Sequence, residues 1–155
     1  MAKEKVLHNA TVCFPVRENE IHLGMKMKNI GKGCWNGWGG GIEETDKSIK
    51  EAAIRELKEE TEEVVALAEH LEKIAIVDFH NTKTDGGTFI CKVHFYLVKQ
   101  WTGEVRETDE MIMPTWFSID NLPFAKMMPA DRHWLPIALW HLPTLQEFYW
   151  PYLLA

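Results

Sequence analysis

The sequence predicts an α/β fold, and three observations carry that reading. Extended runs of apolar and β-branched residues occupy both ends of the first hundred positions. A capped amphipathic helix lies between them, and a second apolar helix follows from Asp131. At 155 residues the chain is long enough to bury a sizeable core, and one domain spanning 1–155 is expected.

Val6 to Val16 reads as a strand with Pro15 near its end, and Arg17-Glu18-Asn19-Glu20 as a turn. Ile21 to Lys28 continues as a second strand, so the two form a hairpin. Lys26 and Lys28 fall on one side of it, as phosphate ligands or as ordinary exposed lysines. Half of the stretch from Ile30 to Gly41 is glycine, which predicts irregular structure. Glycines there let main-chain groups approach a phosphate or a metal closely. Trp35 and Trp38 in that stretch suit packing and ligand stacking equally.

The next segment organises the chain. Ser48 is a good N-cap, with Glu51 three residues on to complete a capping box. Ile49, Ala53 and Leu57 then recur every four residues as a core-facing stripe. On another face Glu56, Glu59 and Glu60 stand at i, i+3 and i+4, where their side chains meet. Crowded carboxylates repel one another, and a divalent cation removes that repulsion. Carboxylate oxygens, main-chain carbonyls and waters suit Mg²⁺ or Mn²⁺, which usually works with substrate phosphates. Arg55, four residues before Glu59, is placed to orient it. A solvated acidic face is what three glutamates alone would mean; the cap and the glycine loop favour a metal site.

Lys73 to His80 and Thr88 to Val98 read as two strands joined by a turn through Thr84-Asp85-Gly86-Gly87. The seven histidines show no metal-ligand spacing and are taken as structural or surface residues. Glu107, Asp109 and Glu110 precede an apolar run from Met111 to Phe117. A second helix opens at Asp131 and runs to about His141, with Pro136 tolerable only near its first turn. Its Trp134, Leu135, Ala138 and Leu139 form a candidate buried face. The aromatic stretch from Leu145 to Ala155 is expected to pack on the body or on a second subunit, as in a homodimer.

Composition narrows the function. Hydrophobic content of 46% and charged content of 26% are ordinary for a soluble domain. A net charge of −6 argues against nucleic acid as a partner, since backbone binding needs a basic surface. No apolar run reaches membrane-spanning length, and no signal-peptide core follows Met1-Ala2-Lys3-Glu4-Lys5. Cys13, Cys34 and Cys91 form no CxxC pattern, so three free thiols in a reducing cytoplasm are expected.

Arg55-Glu56-Leu57-Lys58-Glu59-Glu60, preceded by Gly39-Gly40-Gly41, resembles the Nudix box, written Gly-x5-Glu-x7-Arg-Glu-U-x-Glu-Glu-x-Gly-U. The resemblance implies an α/β/α sandwich around a central mixed sheet. It also implies a Mg²⁺-dependent hydrolase that cuts the diphosphate of a nucleotide substrate, with Mn²⁺ as a substitute. The box departs from the pattern in two places. The loop carboxylate falls on Asp46 or is replaced by Lys47, and the glycine expected after Thr61 is Glu62, followed by Glu63. These departures are read as a shifted loop and helix end.

Trp35-Asn36-Gly37-Trp38-Gly39-Gly40 is similar to the segment leading into the box in MutT-like members that hydrolyse oxidised purine nucleoside triphosphates. The match continues through Asp109-Glu110-Met111, Trp116-Phe117, Leu122-Pro123-Phe124, Met128-Pro129 and Trp134. By this resemblance Glu56, Glu59, Glu60, the Gly39 carbonyl and Glu110 hold metal, and Glu59 or Glu110 is the base. Asn36, Met128, Asp131 and Trp134 then belong to substrate binding, beside Lys26 where the strand lysine reaches a phosphate. Such members carry Trp-Pro-Asp-Asp where this chain has Met128-Pro129-Ala130-Asp131, so the ring and the first acid are missing. The reaction implied is hydrolysis of a triphosphate, for example 8-oxo-dGTP, to monophosphate and pyrophosphate. Hydrolysis of another diphosphate-linked nucleoside, or a silent nucleotide-binding module, are the alternatives.

Overall fold

The computed structural model describes residues 6–140. In chain order they form β1 (Asn9–Arg17), β2 (Glu20–Lys26), β3 (Trp35–Asn36), β4 (Trp38–Gly41), α1 (Ile49–Thr61), β5 (Leu71–Thr82), β6 (Thr88–Val98), β7 (Met111–Ser118) and α2 (Asp131–Ala138). The strands build one mixed sheet in the order β3-β2-β1-β6-β5, with β4 on β1 and β7 on β2.

β1 is the branch point. It runs parallel to β6 from Asn9↔Lys92 to Pro15↔Val98, while its first half pairs antiparallel with β4. Only Val16↔Ile21 and Arg17↔Glu20 join it to β2, so the expected hairpin is confined to its turn end. Because side chains alternate across a strand, successive β1 residues serve opposite layers. Phe14 joins Phe95, Leu97 and, from α2 and its end, Leu135 and Leu139. Cys13 joins Trp38, Tyr96 and, from α1, Ala53 and Leu57. The result is an α/β/α sandwich.

α1 forms as its sequence requires. Ser48 Oγ accepts the Glu51 N–H at 3.1 Å, satisfying one of the orphan donors of the first turn. Ala53 and Leu57 are fully buried. The helix end is not shifted. Glu62 takes the left-handed conformation itself, with φ 68°, in place of the glycine that would adopt it freely. Thr61 closes the turn, its hydroxyl donating to Leu57 O and accepting from Val64 N–H.

The glycine-rich stretch and the second helix depart from expectation, and the open reading of the tryptophans is resolved. The glycine-rich stretch is not irregular throughout: Trp38–Gly41 is a strand whose residues oppose Ala10–Cys13. Its glycines allow this, since a Cβ on Gly39 would collide with the Thr11 carbonyl. Trp38 is buried and Trp35 packs edge-on against Phe117 at 4.9 Å, so both tryptophans are packing residues. The second helix stops at Ala138, and Pro136 stands in its last turn, not its first. The expectation for 145–155 lies outside the described residues.

Candidate active site

A cleft opens between the sheet and the segments around residues 29–30 and 128–131. Its wall combines two kinds of residue. Glu56, Glu60 and Glu110 contribute carboxylates, with Lys26, Lys28, Gly39 and Gly40 also in the lining. Phe79, Phe89, Phe95, Cys91 and Met128 contribute apolar surface, with Asn36, Asn81 and Asp131 as further polar groups. A largely apolar cleft with a few placed polar and charged groups suits a nucleoside carrying phosphates.

Arg55 organises the acidic end from outside the cleft wall. Its Nε and Nη2 each reach an Asp46 carboxylate oxygen at 2.9 Å, a bidentate pair, and Nη2 also donates to Gly41 O at 3.0 Å. Nη1 meets Glu56 Oε1 at 3.0 Å and Glu59 Oε2 at 3.2 Å. Asp46 is therefore the loop carboxylate, and Lys47 is not. Arg55, helped by the Glu43 N–H, holds the Asp46 carboxyl down at about 2. Arg55 itself is held well above its ordinary value, first by Asp46.

The remaining acids face one another. Glu60 shares a hydrogen bond with Glu110 and lies near Glu56; burial first, then Glu110, pushes its carboxyl up to about 8. Glu56 is 9% exposed and leaves no space beside Gly40, where a Cβ would collide with its carboxylate. Among the described residues, no three His, Cys, Asp or Glu side chains already converge on one point suited to a metal ion. Glu59 is held on Arg55 and lies off the cleft wall. The donor set nevertheless fits a hard cation: crowded carboxylates, one forced to keep a proton, beside a main-chain carbonyl.

Glu110 sits on a tightly tied loop. Thr108 Oγ1 accepts the N–H groups of Glu110 and Met111 at 3.2 and 3.1 Å, and Glu110 O accepts Met27 N–H at 2.8 Å. Lys28 Nζ pairs with Asp109 at 2.7 Å, so this lysine engages an acid of the same loop.

Asn36 lines the cleft with its amide oxygen held by Gly37 N–H at 2.8 Å. Asp131 is 5% exposed; burial raises its carboxyl to about 6 despite the Trp134 Nε1 that donates to it at 3.0 Å. Trp134 does not line the cleft. It packs on Phe95 at 4.2 Å and steadies Asp131 from behind. Phe79, Phe89 and Cys91 escape the sequence reading as ordinary strand residues, and Asn81 falls just past the expected strand; only the register of β5 and β6 turns them inward.

A mixed sheet between two helices, with a capped glutamate helix at the edge of a cleft, defines a hydrolase of the Nudix type. Residues 6–137 match the NUDIX domain model, and the chain belongs to that family. It is 38% identical over 129 residues to the oxidized purine nucleoside triphosphate hydrolase of Danio rerio, covering 83% of this chain and 78% of that protein. The Mus musculus protein of the same name is 33% identical over the same shares. Among solved structures, the MutT NUDIX hydrolase of Burkholderia pseudomallei superposes with a TM-score of 0.69 at 26% identity, covering 87% of this chain and 97% of that one. The MutT protein of Methanosarcina mazei Go1 (TM-score 0.67, 20% identity, 88% and 96% covered) shares the fold.

Proposed function

We propose that this Nudix hydrolase is a Mg²⁺-dependent pyrophosphohydrolase of oxidised purine nucleoside triphosphates, releasing monophosphate and pyrophosphate. The observation that carries the reading is a single cleft whose wall brings the clustered Glu56, Glu60 and Glu110 together with apolar side chains and the polar Asn36 and Asp131. The substrate class follows the names of the relatives.

Glu56, Glu59, Glu60, Glu110 and the Gly39 carbonyl would hold Mg²⁺, or Mn²⁺ in its place. Bound there, the ion neutralises charge on the phosphates and on the leaving oxygen. Arg55 holds Glu59 beside the site and fixes the loop through Asp46. Lys26 lies against the acidic cluster, where its ammonium meets a phosphate oxygen. A carboxylate takes a proton from the attacking water: Glu110 from within the cleft, or Glu59 once released from Arg55. Asn36 and Asp131 read the base edge between the phenylalanines and Met128. A different nucleoside diphosphate derivative is the second reading, favoured by Met128 and Ala130 where a ring and an acid are absent.

The test is a panel of oxidised and unmodified nucleoside triphosphates with dinucleoside and sugar-linked diphosphates, each given as kcat/KM. An oxidised purine triphosphate is expected to lead, with a fall on the order of 100-fold or more in Glu59→Gln or Glu110→Gln, whichever removes the base. A sugar-linked diphosphate in the lead would keep the chemistry and discard the substrate. No turnover of any compound would leave a binding module.

A further inference from the structure

Of the three glutamates lining the acidic end of the cleft, Glu56 and Glu60 come from α1 and Glu110 does not, so a loop sets where Glu110 points. That loop is over-determined at Glu110. Thr108 Oγ1 accepts two successive backbone N–H groups, from Glu110 at 3.2 Å and from Met111 at 3.1 Å. Thr108 N–H donates in turn to Met111 O at 2.9 Å, which closes the turn. From the opposite side Met27, just past the end of β2, donates its N–H to Glu110 O at 2.8 Å. Beyond the turn, Glu107 accepts the N–H of Met113 at 2.9 Å, a residue held at φ 51°. The peptide groups on both sides of the Glu110 Cα are thereby fixed, and with them the direction of its side chain toward Glu60.

We infer that Thr108 is the positioning residue for Glu110: its hydroxyl, through two backbone N–H groups, aims the distal carboxylate at the acidic end of the cleft. The inference rests on the reading that Glu110 acts in the reaction. A valine there keeps the shape and β-branching but removes the acceptor, leaving two N–H groups free to reorient the loop. Serine keeps the acceptor. Supporting groups of this kind are worth about 10–100-fold in activity or metal affinity.

The experiment is a double-mutant cycle on the full chain with Thr108→Val, Glu110→Gln and their combination, with Thr108→Ser as the rescue. The readouts are kcat and KM on the best substrate of the panel, Mn²⁺ affinity by calorimetry, and Tm. Thr108→Val is expected to lower kcat about tenfold with KM little changed and to weaken Mn²⁺ binding, while Thr108→Ser retains both. In the Glu110→Gln background the valine should add nothing, because its effect passes through the missing carboxylate. Full activity in Thr108→Val with Glu110→Gln inactive overturns the inference alone. Additive losses overturn it too, since they mark a general structural role. Full activity in Glu110→Gln overturns the role of Glu110 and the inference together. If Thr108→Val does not fold, Thr108→Ala takes its place in the same cycle.

Discussion

Asp131 places a carboxyl where water scarcely reaches, with the Trp134 indole N–H donating to it. Its folded value of about 6 lies above the ordinary 3.8, so between those values the native state binds the proton and the unfolded chain does not. Stability from this group is therefore greatest below about pH 4, falls as pH rises through 6, and stays reduced above. An asparagine in place of the acid keeps an acceptor for Trp134 but cannot ionise. Asp131→Asn is expected to raise unfolding free energy by about 1–3 kcal/mol at pH 8, with little gain at pH 4. Urea unfolding at the two pH values measures it; equal effects at both would refute the burial argument. On the proposed role of Asp131 in base recognition, the same substitution weakens substrate binding, so stability and substrate affinity should move in opposite directions.

Among the elements, α1 carries both the legible and the hidden parts of the site. Its cap, its buried stripe and the i, i+3, i+4 glutamates are local patterns, and local patterns survive folding when tertiary packing agrees with them. The end of the helix is less legible. Glu62 stands at φ 68°, a conformation that costs a residue with a Cβ about 1–2 kcal/mol, and the Arg106 N–H that accompanies this end comes from a distant loop to Thr61 O. Relieving the strain with Glu62→Gly is expected to raise stability by about 0.5–1 kcal/mol, seen as a higher Tm with unchanged kcat. A lower Tm would mean that the Glu62 side chain makes a compensating contact. β4 is hidden for another reason. Glycines carry no strand propensity, and Trp38–Gly41 becomes a strand because β1 pairs with it and Glu56 needs the space over Gly40. Asp46, one residue off the expected spacing, is assigned only by the guanidinium that reaches it.

Across the whole molecule, the parallel pairing of β1 with β6 joins residues some eighty positions apart, and no local pattern announces it. That pairing gathers Ala10 and Val12 of β1 with Cys91, Val93 and Phe95 of β6 into one cleft wall, and so makes the recess that faces the acidic helix. The box motif marks the chemistry, while the recess comes from topology. Among the described residues no helix is long and apolar enough to cross a membrane.

The proposed function depends on the acidic cluster of the cleft hydrolysing a nucleoside triphosphate with a divalent cation. The direct test is a time course of products from 8-oxo-dGTP with Mg²⁺, with chelator, and with Glu56→Gln. Monophosphate and pyrophosphate are expected in equal amounts, abolished by the chelator and reduced on the order of 100-fold or more in the variant. Turnover that persists with chelator or in Glu56→Gln, or products of inorganic phosphate and the diphosphate, would be incompatible with that chemistry.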